Sequence, residues 1–457
     1  MKRNIASVVF LTLLSVAVTS CVRESPNAST STGLASPSPS PTSDQSTLAT
    51  ASTPQRSQVT LPVLDALLAN DDFVAELKSK LQLTNDQVED LKRISAAEVQ
   101  RLRSTNAEEN EEASSSSRSQ AAEEIAHVVG DDKSTQLASL ANGFWARGEN
   151  ADQPTDKLKL PTVLNSIPTD TRIVVNIPAY RMDLFKDGSL VKSYKIGIGY
   201  PEFPLPQGVR KAQSIIFNPT WTPPDSPWVA GMKNVSPGER VEAGSKLNPL
   251  GPIKVPIGMP SLIHGGKSPA KLGTFASHGC VGLTNAQVKD FAKMLGDISG
   301  TDISQNSINS YLKNPTQTKV VKLSQMVPVE LRYETIVLED GELHIYKDVY
   351  RQQTNTEANL RAVLEANGSS LEDLSEEERT QALDAINALS THPTKAAKAT
   401  PTDTPKPEKG KQRAAKQSLK NKKEVVIELS TLASRGYPAP VNFDNGSGKS
   451  TSVAAKR

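Results

Sequence analysis

The sequence predicts a mainly β domain that is flanked by helical segments and by low-complexity linkers. Polar and apolar residues alternate on both sides of two Asp-Gly pairs, at 187–188 and 340–341, and this pattern is typical of β-hairpins. Before and after this region, apolar residues recur at the spacing of a helix face. Of the 457 residues only 37% are apolar and 31 are prolines, so a large share of the chain cannot contribute to a core.

The first 21 residues have the features of an export signal. Two basic residues precede an apolar stretch over 5–18, which is too short to span a bilayer and is typical of a secretory signal peptide. Residues 18–21, Val-Thr-Ser-Cys, resemble a bacterial lipobox, which implies that Cys21 becomes a lipid-modified first residue. Two acyl chains would anchor the protein to the periplasmic face of the inner or outer membrane. The alternative is an ordinary signal peptide in which Cys21 has no role.

The segment before the main domain divides into a linker and a helical region. Residues 22–60 predict a disordered tether, because Ser, Thr, Pro and Ala predominate and little apolar surface is available to drive folding. Over 61–148 we expect a helical region, interrupted by a polar break at 106–119. Its apolar faces are Phe73, Leu77 and Leu81 and, after an N-cap at Thr84, Val88, Leu91 and Ile94.

Strand character dominates the expected main domain, residues 160–350. Between about 201 and 260 the chain is rich in Pro and Gly, a composition that favours rigid loops over paired strands. A short strand then ends at His264, and a helix capped by Thr284 or Asn285 follows. The inward face of that helix is predicted to be Val288, Phe291, Ala292 and Leu295.

The C-terminal part predicts three further segments. Two helices are expected over 355–391, the second with a capping box formed by Ser375 and Glu378. Residues 392–423 predict a disordered basic linker, with ten Lys and Arg between 395 and 423 that either contact anionic wall polymers or lipid headgroups or are simply solvated. Residues 424–457 predict a late strand that returns to the main sheet, then a tail that is mobile after about Asn442.

Cys280 is the only cysteine besides Cys21, and its neighbours point to nucleophilic chemistry. An unpaired thiol outside the cytoplasm is exposed to oxidation, so catalysis is a better explanation for it than a buried structural role. A thiol attacks as the thiolate, and a histidine within hydrogen-bond reach can take its proton and hold the ion pair. His264 comes from another strand and can lie across from the sulfur, so we predict that it is the base.

The residues directly before the cysteine suggest how charge would be stabilised. His278 is predicted to be an orienting or oxyanion-polarising group, because it lies only two residues from Cys280. Gly279 lets the backbone approach a substrate carbonyl, and the amides of Gly279 and Cys280 can donate to a developing oxyanion. This arrangement suits acyl transfer.

These residues resemble a known family motif. "IHGG" at 263–266, followed sixteen residues after His264 by the cysteine of "SHGCVGLTN", is similar to the motif of the YkuD-type L,D-transpeptidases, and the resemblance covers roughly 171–349. It implies a YkuD-like β-sandwich or barrel with a helix after the cysteine motif. It also implies that Cys280 is the acylated nucleophile and His264 the base, with the Gly265 carbonyl orienting that histidine and Ser277 completing the motif.

The family resemblance implies a peptidoglycan stem peptide as substrate. The enzyme would displace the terminal D-alanine, hold a thioester and pass the acyl group to an amine, as in cell-wall crosslinking or protein attachment. Two alternatives remain open: an L,D-carboxypeptidase or hydrolase that transfers to water, and a wall-binding lipoprotein that has lost catalysis. The balanced net charge of +2 indicates no particular partner, and export argues against nucleic acid.

One departure from the family pattern concerns a cation. The family often has arginine two positions after the cysteine, where this chain has Gly282. Four basic residues are candidates to replace it: Arg210, Lys211, Lys267 and Lys271. The insertion over 296–320 differs from short family members, so the sequence does not decide how substrate reaches the site.

Further substrate contacts are predicted around the motif. They are Gly266, Asn285 and two tryptophans, Trp221 and Trp228, which either stack on sugar or peptide or pack loops onto the core. We expect no cofactor. We also expect no metal, because the two histidines and Cys280 lack a further ligand at recognisable spacing.

Overall fold

The structure is a computed structural model, and it describes only part of the chain. The described residues are 59–105, 111–147, 163–224, 232–258, 261–390 and 422–447, with Val229 and Leu419. The signal peptide with Cys21, nearly all of the 22–60 tether, Trp228 and most of the basic linker lie outside them. Predictions on those segments therefore stay predictions.

The N-terminal region is helical, as the apolar spacing predicts. Its described helices are α1 (Leu61–Leu68), α2 (Asp71–Lys80), α3 (Asn85–Thr105), α4 (Glu111–Val129) and α5 (Asp131–Arg147). They share a core of their own, in which Phe73, Leu77 and Leu91 are fully buried. The predicted polar break at 106–119 is too long, because α4 already begins at Glu111 and no Gly or Pro follows in 111–119 to stop a helix. None of the described helices has the length and apolar character needed to cross a bilayer.

The main domain is built on an eight-stranded sheet with the order β3-β2-β1-β10-β5-β6-β7-β9. Its strands are β1 (Arg172–Asn176), β2 (Arg181–Lys186), β3 (Ser189–Lys195), β5 (Gly208–Phe217), β6 (Ile253–Pro256), β7 (Leu262–Lys267), β9 (Val281–Thr284) and β10 (Lys319–Arg332). Only β1 with β10 and β7 with β9 pair in parallel within this sheet. A separate parallel pair is formed by β4 (Ile198–Gly199) and β8 (Phe275–Ser277).

Two of these strands lie where the sequence predicts rigid loops. β5 and β6 both fall between 201 and 260, so the loop prediction is wrong there. Pairing with β10 is what makes β5 a strand, because it places Ala212, Ile215 and Phe217 in the core. The prolines of this region lie outside β5, and Pro256 is at the end of β6, where a missing N–H costs the ladder least.

Helix α6 (Asn285–Ser299) packs against the strands that carry the cysteine and the histidine. Its N-cap is Thr284, whose capping box with Gln287 decides between the two predicted caps. The predicted inward face of α6 is buried. Helix α7 (Gln305–Leu312) lies within the 296–320 insertion.

A smaller α/β part follows the main sheet. β11 (Ile336–Glu339), β12 (Glu342–Tyr346) and β13 (Glu424–Glu428) form a three-stranded sheet, against which α8 (Glu357–Ala366) and α9 (Glu376–Leu389) pack. The predicted capping box of Ser375 and Glu378 is present at α9. The prediction that β13 returns to the main sheet is wrong: it pairs with β12, where Ile427 joins the core beneath the two helices.

The chain ends, as far as it is described, in a segment that crosses the edge of the main sheet. We call residues 434–447 the C-terminal strap. The Ser193 amide donates to the Val441 carbonyl, and Ser193 and Lys195 of β3 also exchange backbone hydrogen bonds with Asp444, each at 2.9 Å. The predicted mobile tail is therefore wrong for 442–447, because pairing with β3 holds those residues and covers an otherwise open edge.

Candidate active site

The cysteine lies in a tight turn between β8 and β9. Gly279 has a φ of 89°, a backbone conformation that favours glycine. Ser277 closes the turn: its Oγ donates to the Cys280 carbonyl at 2.5 Å and accepts from the Cys280 amide at 3.0 Å. The Cys280 amide is thus already engaged, and of the two predicted oxyanion donors only the Gly279 amide keeps that role as a prediction. Cys280 itself is partly exposed.

The fold brings His264 beside the cysteine turn. β7 and β9 are parallel neighbours in which Ile263 pairs with Val281 and His264 with Gly282. Cys280 directly precedes β9, so His264 on β7 lies next to the turn that carries the cysteine. The Leu262 backbone makes a hydrogen bond to the Cys280 sulfur. The pairing of β7 with β9 is consistent with the prediction that His264 comes from another strand and can lie across from the sulfur, and its role as the base stays a prediction.

The imidazole of His264 is held by the backbone. Its Nδ1 lies 2.7 Å from the Gly265 carbonyl, the contact that the family resemblance implies for Gly265. A carbonyl only accepts, so Nδ1 carries the proton and Nε2 is the basic atom. Burial, with the charges of Lys267 and Lys254, lowers the pKa of His264 to about 3. The ring is therefore neutral at physiological pH.

The thiol is subject to opposing influences. Burial raises the pKa of Cys280, whereas the Leu262 backbone and the cations Lys267, Arg210 and Lys254 lower it, and the net shift is upward. The resting site therefore holds a neutral thiol beside a neutral imidazole. This departs from the expected ion pair, because desolvation disfavours charge on both groups. Proton transfer to His264 then accompanies attack by sulfur rather than preceding it.

Three cations lower the pKa of the thiol, and two of them, Arg210 and Lys267, are among the four predicted candidates. Arg210 of β5 is 2% exposed, and burial lowers its pKa to about 9. Lys267 lies at the end of β7, and Lys254 of β6 pairs directly with His264. Lys211 and Lys271 are not among the main influences on the pKa of Cys280. The role of Lys254 could not be predicted from the sequence, because only the strand register places this residue beside His264.

His278 is packed between aromatic rings. Its ring centroid lies 5.3 Å from that of Tyr200 and 5.0 Å from that of Phe203. These contacts fix the orientation of the ring next to the cysteine turn. Its oxyanion-polarising role stays a prediction.

The remaining predicted contacts have structural partners. Asn285 Oδ1 accepts from the Gly266 amide at 2.8 Å, which ties the start of α6 to β7. Trp221 is only 8% exposed and packs in a cluster with Leu250 and Leu262. The structure thus favours the packing interpretation of Trp221 over a stacking surface. The substrate contacts of Gly266 and Asn285 stay predictions, and Trp228 lies outside the described residues.

Comparison with known proteins agrees with the motif. Residues 170–321, which include His264 and Cys280, match the family model of YkuD, the L,D-transpeptidase catalytic domain. This segment of the chain is therefore a YkuD domain, as the resemblance predicts. No curated protein matches the chain.

Several solved structures align with about a third of the chain. An E. faecium L,D-transpeptidase catalytic domain is 18% identical, with 36% of this chain and 100% of that one covered and a TM-score of 0.24. An L,D-transpeptidase from Mycobacterium tuberculosis H37Rv is 16% identical, with 35% and 57% covered and a TM-score of 0.21. For the Ldtfm-avibactam carbamoyl enzyme the values are 18% identity, 36% and 49% coverage and a TM-score of 0.24. The chain thus spans about half the length of some of the solved chains that it matches.

Proposed function

We propose that this protein is an L,D-transpeptidase of the cell envelope that acylates Cys280 with a peptidoglycan stem peptide and transfers the acyl group to an amine. The observation that carries the proposal is the placement of His264 on β7 next to the turn that carries Cys280, in a segment that matches the YkuD family model. The Gly265 carbonyl supports it further, because it accepts from Nδ1 of His264 and so fixes the tautomer in which Nε2 is the basic atom.

The first half-reaction forms a thioester. The Cys280 sulfur attacks the carbonyl carbon next to the terminal D-alanine while His264 Nε2 takes the thiol proton. The C–N bond to the D-alanine breaks, and His264 returns the proton to the leaving amine. Arg210, Lys254 and the Gly279 amide face negative charge on the oxygen of the tetrahedral intermediate, and in a buried site such charges act strongly.

The second half-reaction consumes the thioester. An acceptor amine attacks the acyl carbon, His264 removes a proton from that amine, and the same proton then reprotonates the sulfur as the C–S bond breaks. The products are a new amide and the free thiol. Water in place of the amine would give hydrolysis.

The cellular setting belongs to the same proposal. Lipid on Cys21 would hold the enzyme at the periplasmic face of a membrane, with the tether and the helical region as spacers. The basic segment 395–423 would contact anionic wall polymers. Cys21, nearly all of the tether and most of the basic segment lie outside the described residues, and the export signal and lipobox of the sequence support the setting.

Adduct mass spectrometry tests the nucleophile. Incubation of the full chain with a carbapenem is expected to add one molecule to the wild type, none to Cys280→Ala, and one to the matched control Cys21→Ser. A folded wild-type protein that stays unmodified would overturn the assignment. Incubation with purified sacculus fragments then identifies the acceptor: new dimeric muropeptides support transfer, whereas shortened monomers alone would contradict it and indicate a carboxypeptidase.

A further inference from the structure

The space above Gly282 is filled by a lysine from the neighbouring strand. A Cβ built on Gly282 would lie 2.8 Å from Cγ and 3.1 Å from Cε of Lys267. Lys267 pairs with Thr284, so its side chain runs back across β9 in the direction of the cysteine turn. A side chain at position 282 and the side chain of Lys267 therefore compete for one volume.

An irregularity in β7 makes this arrangement possible. In a regular strand Lys267, three positions after His264, would project to the opposite face. The register between β7 and β9 shifts between His264 and Lys267, and Gly266 within this shift has a φ of 84°. The shift returns Lys267 to the face that carries His264, beside a row formed by Lys254, His264 and Gly282.

Lys267 differs from the other two cations in its partners. Lys254 Nζ donates to the Thr220 carbonyl at 3.2 Å, and Arg210 Nη1 donates to the Gly258 carbonyl at 3.2 Å. Among the residues that the structure describes, Lys267 makes neither a hydrogen bond nor an ion pair, although it is mostly buried. An ammonium in such a place is costly unless an anion joins it.

We propose that Lys267 is a positioning residue whose ammonium binds a substrate carboxylate next to the Cys280 thiol, from the volume that a side chain at position 282 would otherwise occupy. The group that Lys267 binds is a carboxylate, whether at the end of the peptide or on one of its side chains. Its assignment to the free end of the donor peptide rests on the proposed function: when the last residue is the leaving group, its carboxylate stays within about 5 Å of the attacked carbon.

Alkylation of Cys280 tests the anion site without any turnover. Iodoacetate carries a carboxylate and iodoacetamide is neutral, so the ratio of their rates reports attraction of an anion, while the neutral reagent alone tracks the thiol. In Lys267→Met this ratio is expected to fall roughly tenfold, the size typical of a hydrogen bond to a charged group. Lys211→Met changes a lysine of β5 that is not among the main influences on the pKa of the thiol, and it should leave the ratio unchanged. An unchanged ratio in Lys267→Met would overturn the proposal.

A charge transplant tests the shared volume. Lys267→Ala removes the atoms that a side chain at 282 would meet, so the double variant Lys267→Ala/Gly282→Arg is expected to restore the iodoacetate preference that Lys267→Ala loses. A folded double variant with the same low ratio as Lys267→Ala would show that the two positions are not equivalent. Circular dichroism establishes that each variant is folded.

Donor peptides test which carboxylate is bound. For a tetrapeptide with a free C-terminus, Lys267→Met should raise KM roughly tenfold with little change in kcat, whereas for the C-terminal amide KM should hardly change. An equal effect on both donors would overturn the assignment to the peptide end and point to a side-chain carboxylate. If the alkylation ratio behaves as expected but no donor is turned over, the proposed function fails and the anion site stands.

Discussion

At the scale of single residues, the two reacting groups of the candidate site are uncharged before substrate binds. The Cys280 thiol and the His264 imidazole are both held neutral by burial, although three cations favour the thiolate. Such a site avoids a permanently reactive thiolate, because the thiolate and not the thiol is the oxidation-prone form. Reactivity then depends on a substrate that excludes water and brings its carbonyl to the sulfur.

The pH dependence of thiol reactivity follows from these two pKa shifts. The pKa of Cys280 is raised above 9.0, so its reaction with iodoacetamide should accelerate steadily from pH 7 to pH 9 without a plateau. Because the pKa of His264 is about 3, no inflection is expected near pH 6.5. Peptide mass spectrometry at Cys280 measures the rates, with the same chain unfolded in urea as the control. A plateau reached below pH 7 would show a resting thiolate and contradict this description.

The sequence predicted the residues of the site better than their surroundings. His264, Gly265 and Cys280 lie in short contiguous motifs, so their types and order were readable directly. The effect of Lys254 and the path of Lys267 depend on strand register and on one irregularity in β7, which no local pattern encodes. The engagement of the Cys280 amide by Ser277 depends on the turn conformation at Gly279 and was missed for the same reason.

At the scale of elements, local signals were reliable and long-range pairings were not. Both Asp-Gly hairpins are present, with positive φ at Asp187 and Gly188 and at Asp340 and Gly341, as type I′ turns require. The predictions for β5, β6 and the partner of β13 were wrong, because each depends on pairing with a strand that is distant in sequence. Composition rich in Pro and Gly marks where a strand cannot continue, but it does not show which short stretches between the prolines find a partner.

The sheet β11-β12-β13 contains a histidine that should make it sensitive to pH. Burial lowers the pKa of His344, but the hydrogen bond with Glu424 and the charges of Glu339, Glu424 and Glu342 outweigh it, and the pKa is raised above 6.5. His344 Nδ1 lies 2.6 Å from Glu424 Oε1, which joins β12 to β13. Protonation therefore strengthens the attachment of β13.

The sign of the effect is fixed by the raised folded-state pKa. Stabilisation from protonated His344 is complete below pH 6.5 and disappears as the pH rises through the raised value. As the pH rises from 6.5 through the raised pKa, we expect the Tm of the wild type to fall more than the Tm of His344→Gln. In an NMR titration, the chemical shifts of His344 should have their midpoint above pH 6.5. Equal pH profiles for the two proteins would remove this role from His344.

At the scale of the whole molecule, a buried ion cluster joins the YkuD sheet to the C-terminal parts. Arg181 of β2 bonds to Asp183 of the same strand, to Glu339 of β11 and to the Pro438 carbonyl of the C-terminal strap. Tyr437 of the strap also donates to Asp183, at 3.2 Å. One guanidinium thus contacts the main sheet, the three-stranded sheet and the strap. The main domain, the smaller α/β part and the C-terminal strap should therefore unfold as one unit.

Removing that guanidinium should destabilise the whole unit. Burial raises the pKa of Glu339 and Arg181 counteracts it, so Arg181→Met leaves two buried carboxylates without their cation. Loss of one partner from a buried ion pair costs about 3–5 kcal/mol of unfolding free energy, which urea unfolding measures. Lys293→Met removes an exposed pair with Asp297 and should cost less than about 1 kcal/mol. Arg181→Met/Glu339→Gln should recover part of the loss, since one uncompensated charge is gone. Separate transitions for these parts in the wild type, or no recovery in the double variant, would show that the cluster does not couple them.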